Sequence, residues 1–394
     1  MSDKSLIPPL NGNDAPPEVA VFLYEPRGGH WKYTENLLDH IDTSCLLVTS
    51  NPVPQKKHWC LPILKWSPGP HKTLAAKGRL MLLHFRNIVA LLRAVRMFKI
   101  GLIHFQSFEP ISMGILLPFL KLRSRLLFSV HNVLPHSYYS RYTKSLELGL
   151  RKRIYHKADH LFVFSRYGTE KLAREFNLPK QKITFLPMGC HEPLPKSIPL
   201  RQGRPDQPNF LMFGGYRPNK GFEVLRDAFL KAKESGLPGK LQIAGSYPTE
   251  IELQTLDLFQ KRNLLDQISF ENKFIPEDQI DGILRSADLI VMPYTGFESQ
   301  SGVVFLAYAY NLPLIASRVG GLTEVIESDG TGILVNPGSV VELSEALFLG
   351  LEKYQEMLDH QPAHLLSTKY SWASIGQGTE QVYDRISKKI NPVN

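Results

Sequence analysis

Two short stretches in the second half of the chain carry residue types that suit the binding of phosphate. The first is FGGYRPNKGFEVL at 213–225, in which Arg217 and Lys220 lie between a strand-like run and the start of a helical pattern. Arginine offers a fork of donors to two phosphate oxygens, and lysine offers a compact positive charge. The pair could enclose a diphosphate, and it could equally be two ordinary cations on a solvated loop.

The second stretch is SQSGVVFLAYAYNLPLIAS at 299–317, which contains no charged residue. A Ser/Gly turn leads into an apolar helical pattern, and backbone N–H groups at the start of a helix are suited to binding an anion. We expect these N–H groups to orient a diphosphate whose charge Arg217 and Lys220 neutralise. The residues assigned to this loop are Ser299, Gln300, Ser301, Gly302 and Val303.

The first half of the chain offers weaker signals. His131 ends the apolar run RLLFSVH at 125–131, where it could face a ligand or be a structural histidine. Gly28 and Gly29 form a turn before a helical pattern, either for tight geometry or for close approach of a ligand. A GxGxxG sequence is absent after the first strand-like run, so a nicotinamide or flavin site has little support.

An alternation of apolar runs and helical patterns predicts the elements that position these residues. Runs such as LIVM, within DLIVMPY at 288–294, are apolar throughout, which is typical of parallel strands buried on both faces. We therefore predict an α/β fold with two doubly wound Rossmann-like domains facing each other across a cleft. Ligands of such sheets bind at the carboxyl ends of the strands, so the candidate residues would line that cleft.

The domain boundaries are predicted from a stretch rich in Pro and Gly, GCHEPLPKSIPLRQGRPDQP at 189–208, which lacks periodicity. The polar, Pro-rich start of the chain is interpreted as a disordered tail rather than a signal peptide. The predicted divisions are a tail at 1–17, a first domain at 18–190, a linker at 191–207, a second domain at 208–370 and a C-terminal helical segment at 371–394.

Composition favours a cytoplasmic globular protein. The chain has 394 residues, of which 43% are hydrophobic and 21% charged, so it is long enough for two domains. Cys45, Cys60 and Cys190 are odd in number and widely spaced, which indicates reduced thiols rather than a disulfide framework or metal site. The sequence contains no run of 18 apolar residues, so no membrane-spanning helix is predicted.

Positive charge is concentrated in one block. No acidic residue occurs between Asp42 and Glu109, whereas ten Lys or Arg residues do. In segment 72–99, Lys72, Arg79, Arg86 and Arg93 recur every seven residues and would form one helical stripe. An apolar stripe of Leu82, Phe85, Val89 and Leu92 runs beside them. This pattern fits an anionic membrane surface, or a domain helix with a core face and solvated cations. Nucleic acid is disfavoured because no recognised binding motif is present.

The order of motifs in the second half resembles the retaining, GT-B-fold glycosyltransferases of family 4. That family has a strand, a Gly turn, a basic R…KG loop, segments spaced like ISFENKFIPEDQI and ADLIVMPY, a diphosphate loop and helix, and a closing P(V/I)(V/I)AS…GG…E pattern. PLIAS at 313–317 and GGLTE at 320–324 match the closing pattern here. The resemblance covers about 18–390 and is strongest in the second half.

The resemblance implies transfer of a sugar from a nucleotide-sugar to an acceptor with retained anomeric configuration. It places the nucleotide on the second domain, the acceptor on the first, and a C-terminal helix that crosses back to the first domain. It implies no metal or other cofactor, in agreement with the lack of a DxD motif in the sequence. The residues assigned to catalysis are Arg217, Lys220 and His131, and those assigned to donor binding are Gly28, Gly29, Gly215, Phe274, Glu298 and the loop 299–303.

The chain departs from the family pattern at two places. Ser299 and Ala307 occupy the positions of two glutamates eight residues apart, which puts nucleotide recognition in doubt. Glu298 is a candidate substitute for the first glutamate, and we expect Ala307 to line the nucleotide pocket without bonding to ribose. The loop matches a variant of the family with a Gln-Ser-Gly sequence. Gly215 stands at the usual arginine position, so Arg217 is taken as its replacement.

These observations predict a metal-independent glycosyltransferase on the cytoplasmic face of a membrane, with a lipid-linked or polysaccharide acceptor. Two alternatives remain open at this stage. A GT-B sugar-nucleotide epimerase or a phosphorylase has the same fold, but no convincing acid/base set or pyridoxal lysine is evident. A non-catalytic, membrane-associated scaffold is favoured by the loss of both glutamates. Transfer or slow hydrolysis of a nucleotide-sugar would distinguish a transferase from these alternatives.

Overall fold

The computed structural model describes residues 16–24, 28–53, 58–65, 74–134, 141–190, 194–201, 203–297 and 300–388. Within these ranges the side chains of 74–77, 111–112, 116 and 141–144 are not described. The chain forms two compact units, of which the first contains the residues up to Phe164, the segment Thr169–Leu186 and the C-terminal segment from Trp372. The second contains Ser165–Gly168 and Pro187–Ser371.

The first unit is built on a seven-stranded parallel sheet with the order β3-β2-β1-β4-β5-β6-β7. Its strands are β1 (Val19–Phe22), β2 (Cys45–Val48), β3 (Trp59–Leu61), β4 (Leu102–Phe105), β5 (Arg125–Val130), β6 (His160–Val163) and β7 (Ile183–Phe185). Its helices before the second unit are α1 (Gly28–Asp39), α2 (Leu74–Phe98), α3 (Pro110–Lys121), α4 (Arg141–Lys157) and α5 (Arg166–Phe176), of which the first three residues of α5 are grouped with the second unit.

The second unit is built on a six-stranded parallel sheet with the order β10-β9-β8-β11-β12-β13. Its strands are β8 (Asn209–Phe213), β9 (Lys240–Gly245), β10 (Ile268–Asn272), β11 (Leu289–Met292), β12 (Leu314–Ser317) and β13 (Gly332–Val335). Its helices are α6 (Phe222–Glu234), α7 (Thr249–Gln260), α8 (Glu277–Ser286), α9 (Gly302–Ala309), α10 (Gly320–Asp329), α11 (Val340–Glu352), α12 (Tyr354–Asp359) and α13 (Pro362–Ser367).

Each sheet reverses its strand order once, so each unit has one topological switch point. In the first unit the chain moves from β1 to β2 and β3, and then restarts at β4 on the other side of β1. In the second unit it moves from β8 to β9 and β10, and restarts at β11 beside β8. Loops after the two strands that flank such a point diverge to opposite faces of the sheet and leave a crevice for ligands.

Apolar side chains on both faces of the sheets bury the strands, as the continuous apolar runs predict. Right-handed crossovers place α2, α3 and α4 on one face of the first sheet, where each packs against the next in order. The other face is covered by α1 and by the last helix, α14 (Trp372–Ser387), which contacts both α1 and β4. The prediction of two doubly wound sheets with a C-terminal helix returning to the first is confirmed.

The C-terminal helix is attached to the first unit by polar bonds as well as by packing. The Glu380 carboxylate accepts hydrogen bonds from the backbone N–H groups of Asp42 and Thr43, both at 2.8 Å. The Tyr383 hydroxyl lies 2.7 Å from Nδ1 of the buried His104. Among the helices that the structure describes, none is long and apolar enough to span a bilayer.

Candidate active site

The basic loop of the second unit follows β8 and begins with two glycines whose geometry brings the backbone close to a lysine. Gly214 has a φ of 103°, and a Cβ atom at this position would lie 2.7 Å from Lys220 Nζ. The lysine ammonium therefore lies directly against the end of β8. A side chain on residue 214 would displace it, which is a packing reason for glycine in addition to the positive φ.

A second glycine sets the far end of this loop. Pro218–Lys220 form a single 3₁₀ turn, and Gly221, with a φ of 69°, links that turn to α6. A Cβ at Gly221 would lie only 1.9 Å from the carbonyl oxygen of Pro293. The close approach joins the basic loop to the loop that follows the neighbouring strand β11.

Two hydrogen bonds reinforce this junction. The Thr295 N–H donates to the Asn219 carbonyl at 2.9 Å, and Asn219 Nδ2 donates to the Gly296 carbonyl at 2.8 Å. The chain continues from Gly296 toward Gln300 and α9. Because β8 and β11 flank the switch point, the basic loop and the start of α9 belong to the same edge of the same sheet.

Lys220 is a half-buried cation with an altered pKa. Burial, and secondarily the nearby charge of Arg217, lowers the pKa of Lys220 to about 8. Among the residues that the structure describes, no carboxylate forms an ion pair with Lys220. The carboxylate of Glu223 in the first turn of α6 instead accepts a hydrogen bond from Tyr216, at 2.9 Å. Arg217 is exposed at the start of the 3₁₀ turn.

The start of α9 is capped by the serine of the uncharged loop. Ser301 has extended backbone geometry, and its Oγ accepts from the Val303 N–H at 3.4 Å. The Tyr294 hydroxyl lies 3.4 Å from the same Oγ. A bond of this length is weak, so an anion could compete for the Val303 N–H. The first N–H groups of any α-helix lack intrahelical partners, which makes this end suited to a negative group.

Gln300 and Phe274, assigned to donor binding, and Ala307, expected to line the pocket, differ in exposure. Gln300 is buried, and its Oε1 accepts from the Met188 N–H at 2.9 Å, so this side chain fixes the loop. Phe274 is 80% exposed in the loop after β10. Ala307 has no accessible surface and packs in the apolar core around α9, so the expectation that it lines the pocket is wrong. Glu298 and Ser299 lie outside the described residues.

His131 of the first unit lies in an aromatic stack at the carboxyl end of the sheet. Its ring stacks between His30 and Phe164, with centroid distances of 4.0 and 4.5 Å. Tyr33 meets the ring of Phe164 edge-on at 4.9 Å. These rings come from α1, the end of β5 and the end of β6, so the stack depends on the tertiary fold. Sequence reasoning identified His131 but missed His30 and Phe164.

A cavity of about 160 Å³ adjoins this stack. Its lining comes from residues after β4, the end of β5, and helices α1 and α4: His30, Gln106, Ser107, Phe108, Ser129, Val130, His131, Asn132, Arg151 and Tyr155. Behind it, His104 Nε2 lies 2.9 Å from the Ser129 hydroxyl, and burial lowers the pKa of His104 to about 3. This histidine is therefore neutral and orients Ser129.

The surroundings of two of the assigned glycines, Gly29 and Gly215, leave room for a Cβ atom. Gly28 and Gly29 begin α1, and a Cβ at Gly29 would meet nothing within 4 Å. The surroundings of residue 29 therefore do not require a glycine there, and tight packing does not explain it. Gly215 is exposed, and a Cβ there would lie 3.5 Å from the Ser246 carbonyl, an ordinary contact.

Comparison with known proteins identifies the kinds of domain that form this site. A model described as Glycosyltransferase Family 4 matches residues 28–191, and one described as Glycosyl transferases group 1 matches residues 207–352. The first match gives the chain a family 4 type domain and the second a group 1 type domain, so the chain is a glycosyltransferase. Neither match identifies the sugar or the acceptor.

Curated relatives of the glycosyltransferase are distant. It is 23% identical to the alpha-D-kanosaminyltransferase of Streptomyces kanamyceticus over 64% of this chain and 67% of the relative. It is 26% identical to an uncharacterized glycosyltransferase of Methanocaldococcus jannaschii over 54% of this chain, and spans only 57% of that relative's length.

Solved structures establish the GT-B fold of the glycosyltransferase. It superposes on sucrose-phosphate synthase from Thermosynechococcus elongatus with a TM-score of 0.70 at 19% identity, covering 94% of this chain and 99% of the other. It superposes on HepE of Anabaena, solved in complex with UDP, with a TM-score of 0.67 at 14% identity, covering 93% and 100%. The predicted fold class is confirmed. Within the described residues no group of three His, Cys, Asp or Glu side chains could hold a metal ion.

Proposed function

We propose that this glycosyltransferase moves a sugar from a nucleotide-sugar to an acceptor, with retention of anomeric configuration and without a metal ion. The observation that carries the proposal is Lys220, a half-buried ammonium at a strand's carboxyl end with a lowered pKa. Burying a charge is costly unless a partner compensates it. The diphosphate of a nucleotide-sugar would be that partner.

The proposed chemistry is a displacement at the anomeric carbon. The bond between that carbon and the diphosphate oxygen breaks, the acceptor hydroxyl oxygen bonds to the carbon on the same face, and the hydroxyl proton passes to the departing diphosphate oxygen. Negative charge grows on the departing diphosphate, so Lys220 and Arg217 would stabilise the transition state more than the bound substrate. The N–H groups of Gly302 and Val303 would orient the phosphate oxygens.

His131 is proposed to contact hydroxyl groups of the transferred sugar. Its stacked position between His30 and Phe164 would hold the imidazole in one orientation. The adjoining cavity of about 160 Å³ has hydroxyl and amide side chains suited to sugar hydroxyls. We also propose that Gly29 leaves room for a ligand at the start of α1.

The acceptor is proposed to be lipid-linked or a polysaccharide, reached at the cytoplasmic face of a membrane. The support is the basic segment 72–99, whose α2 portion exposes Arg79, Arg86, Arg93 and Arg96. Such a surface would attract anionic lipids by about 1 kcal/mol for each cation near the membrane.

The experiment that tests the function is a thermal-shift screen of nucleotide-sugars, followed by assays of transfer and hydrolysis. A donor at a hundredfold excess over its Kd should stabilise the chain by about 2.7 kcal/mol. The product's anomeric configuration, read by NMR, tests retention. Binding of a donor without any transfer or slow hydrolysis would contradict the proposal, and formation of an isomeric donor would indicate an epimerase instead.

A further inference from the structure

The outer surfaces of α2 and α3 expose a concentration of large apolar side chains that the fold itself does not use. We propose that this surface is a bilayer-docking face that inserts apolar side chains into an anionic membrane. The inference deepens the membrane part of the proposed function by assigning α3 and an insertion mode to it. We call the exposed apolar residues Leu82, Phe85, Ile115, Phe119 and Leu122 the apolar ridge.

Helix α2 has a buried face that is separate from its part of the ridge. The core-facing positions are Ile88, Leu91, Ala94 and Val95, all at 2% exposure or less. Leu82 and Phe85 are on another side of the helix, 69% and 40% exposed. The apolar stripe of the sequence pattern therefore is not the core face in its first half, and fold stability does not explain its composition.

Helix α3 also has a buried apolar face and a separate exposed apolar face. Met113, Leu117 and Leu120 are buried against the sheet. Ile115, Phe119 and Leu122 are 55%, 56% and 81% exposed, and Pro118 between them is exposed too. Positions 115, 118, 119 and 122 have the i, i+3, i+4, i+7 spacing of one helical face. A helix that is apolar on its solvent side needs a second apolar environment.

The two helices present their outer sides in the same direction. They pack against each other on one face of the first sheet, so side chains pointing away from the sheet project to the same side. Between Leu74 and Leu134 the chain has nine Lys or Arg residues and one acidic residue, Glu109. Two of the nine, Lys121 and Arg125, form ion pairs with Asp159. Apolar side chains flanked by cations are complementary to an anionic bilayer, in which acyl chains lie beneath negative headgroups.

Vesicle co-sedimentation without nucleotide-sugar tests the face. The full chain should bind vesicles of phosphatidylcholine mixed with phosphatidylglycerol better than phosphatidylcholine alone, and part of that binding should survive high salt because insertion is not screened. Phe119→Ser and Leu122→Ser should each weaken binding about tenfold, and Arg86→Gln about fivefold at low salt only. The matched control is Leu253→Ser on α7, 61% exposed, which should bind as the unaltered chain does.

Three results would overturn the inference. The unaltered chain could fail to bind anionic vesicles, or Phe119→Ser and Leu122→Ser could bind as well as Leu253→Ser. The ridge variants could instead abolish self-association of a chain that ignores vesicles, which would assign the ridge to a second copy. A chain that binds vesicles through the ridge but transfers no sugar supports this inference and contradicts the proposed activity.

Discussion

Lys220 is the residue on which the proposed chemistry depends most directly. Replacing it with alanine removes the charge next to Gly214 and should lower turnover by about a hundredfold or more, because Arg217 alone would remain to stabilise the departing diphosphate. Arg217→Ala should act similarly and also weaken donor binding. Steady-state kinetics with the donor found by the thermal-shift screen measures both effects.

The control for these variants is Lys261→Ala directly after α7, an exposed lysine paired with Asp257 at 2.6 Å. It should leave turnover unchanged, since exposed ion pairs contribute little. Circular dichroism melts should show that Lys220→Ala remains folded, and relief of a buried charge should even favour folding slightly. Near-normal turnover in both Lys220→Ala and Arg217→Ala would refute the role of this loop.

The pKa of Lys220 predicts how donor binding depends on pH. Free Lys220, with a pKa of about 8, loses its proton as the pH rises above that value. A bound diphosphate favours the ammonium form and raises the pKa, so binding above pH 8 should take up a proton and affinity should fall by up to about tenfold per pH unit. Calorimetry in buffers of different ionisation enthalpy measures this uptake.

Lys220→Arg is the matched variant for the pH experiment, because a guanidinium stays charged throughout this range. It should lose the proton uptake even if its affinity differs. Uptake that persists unchanged in Lys220→Arg would assign the titration to another group. The same pKa difference affects stability. Because folding lowers the pKa of Lys220, the free energy of unfolding of the ligand-free protein should increase as the pH rises from 8 toward 10.5.

Sequence reasoning identified Arg217 and Lys220 but did not identify the hydrogen bonds that fix the loop on which they lie. Arg217 and Lys220 stand out because charged residues at a strand end are visible in a linear pattern. The bonds from Asn219 to Thr295 and Gly296 join loops far apart in sequence, so no local pattern shows them. The same applies to His30 and Phe164, which meet His131 only once the sheet has formed.

At the scale of elements, α9 should bind donor phosphate through its first turn, as the sequence suggested. Gly302→Val adds a side chain where the phosphate would approach the backbone. It should weaken nucleotide binding by at least about tenfold while costing less than about 1 kcal/mol of stability, because valine is tolerated in the first helical turn. Paired titrations of donor affinity and denaturant stability separate the two quantities.

Gly282→Val on α8 is a suitable comparison, since a Cβ at Gly282 would meet nothing within 4 Å. It should change stability modestly and leave donor affinity alone. If Gly302→Val binds the donor as tightly as Gly282→Val does, the diphosphate lies elsewhere and the helix start has no part in its binding.

Element prediction succeeded where burial leaves a clear pattern. The stretch DLIVMPY can be predicted as a strand without knowing its tertiary neighbours, because its apolar run alone indicates β11. Strand β3, Trp59–Leu61, is only three residues long and half-buried, so it has no such run and was missed. In α2 the periodicity could not show which of two apolar stripes meets the sheet, because both have helical spacing.

At the scale of the whole molecule, the proposed roles of Lys220 and Arg217 predict that turnover does not depend on divalent ions. Lys220 and Arg217 would supply the charge that a metal ion supplies at other diphosphate sites. Turnover should therefore persist in EDTA and should not rise when Mg²⁺ or Mn²⁺ is added. Complete loss of turnover in EDTA, restored by either ion, would refute the proposal of metal-independent transfer.

The returning helix α14 followed from the family resemblance, because helical periodicity does not say which surface a helix will meet. It covers the sheet face opposite α2 and α3, and Trp372 packs edge-on against Tyr33 with ring centroids 5.2 Å apart. Gly376 shows how close the fit is, since a Cβ there would lie 2.1 Å from the His40 carbonyl oxygen. The first unit is therefore completed by residues from the far end of the chain.

This completion predicts that a single hydroxyl on α14 stabilises the first unit. Tyr383→Phe removes the partner of His104 Nδ1, 2.7 Å away in a fully buried environment. A buried polar group that loses its hydrogen bond costs about 1–3 kcal/mol, so the free energy of unfolding should fall by that amount. Gln381→Ala, exposed on the same helix, should cost no more than about 0.5 kcal/mol. Urea denaturation followed by fluorescence compares the two. Equal midpoints for both variants would mean that the bond between His104 and Tyr383 contributes nothing to holding the last helix on the first sheet.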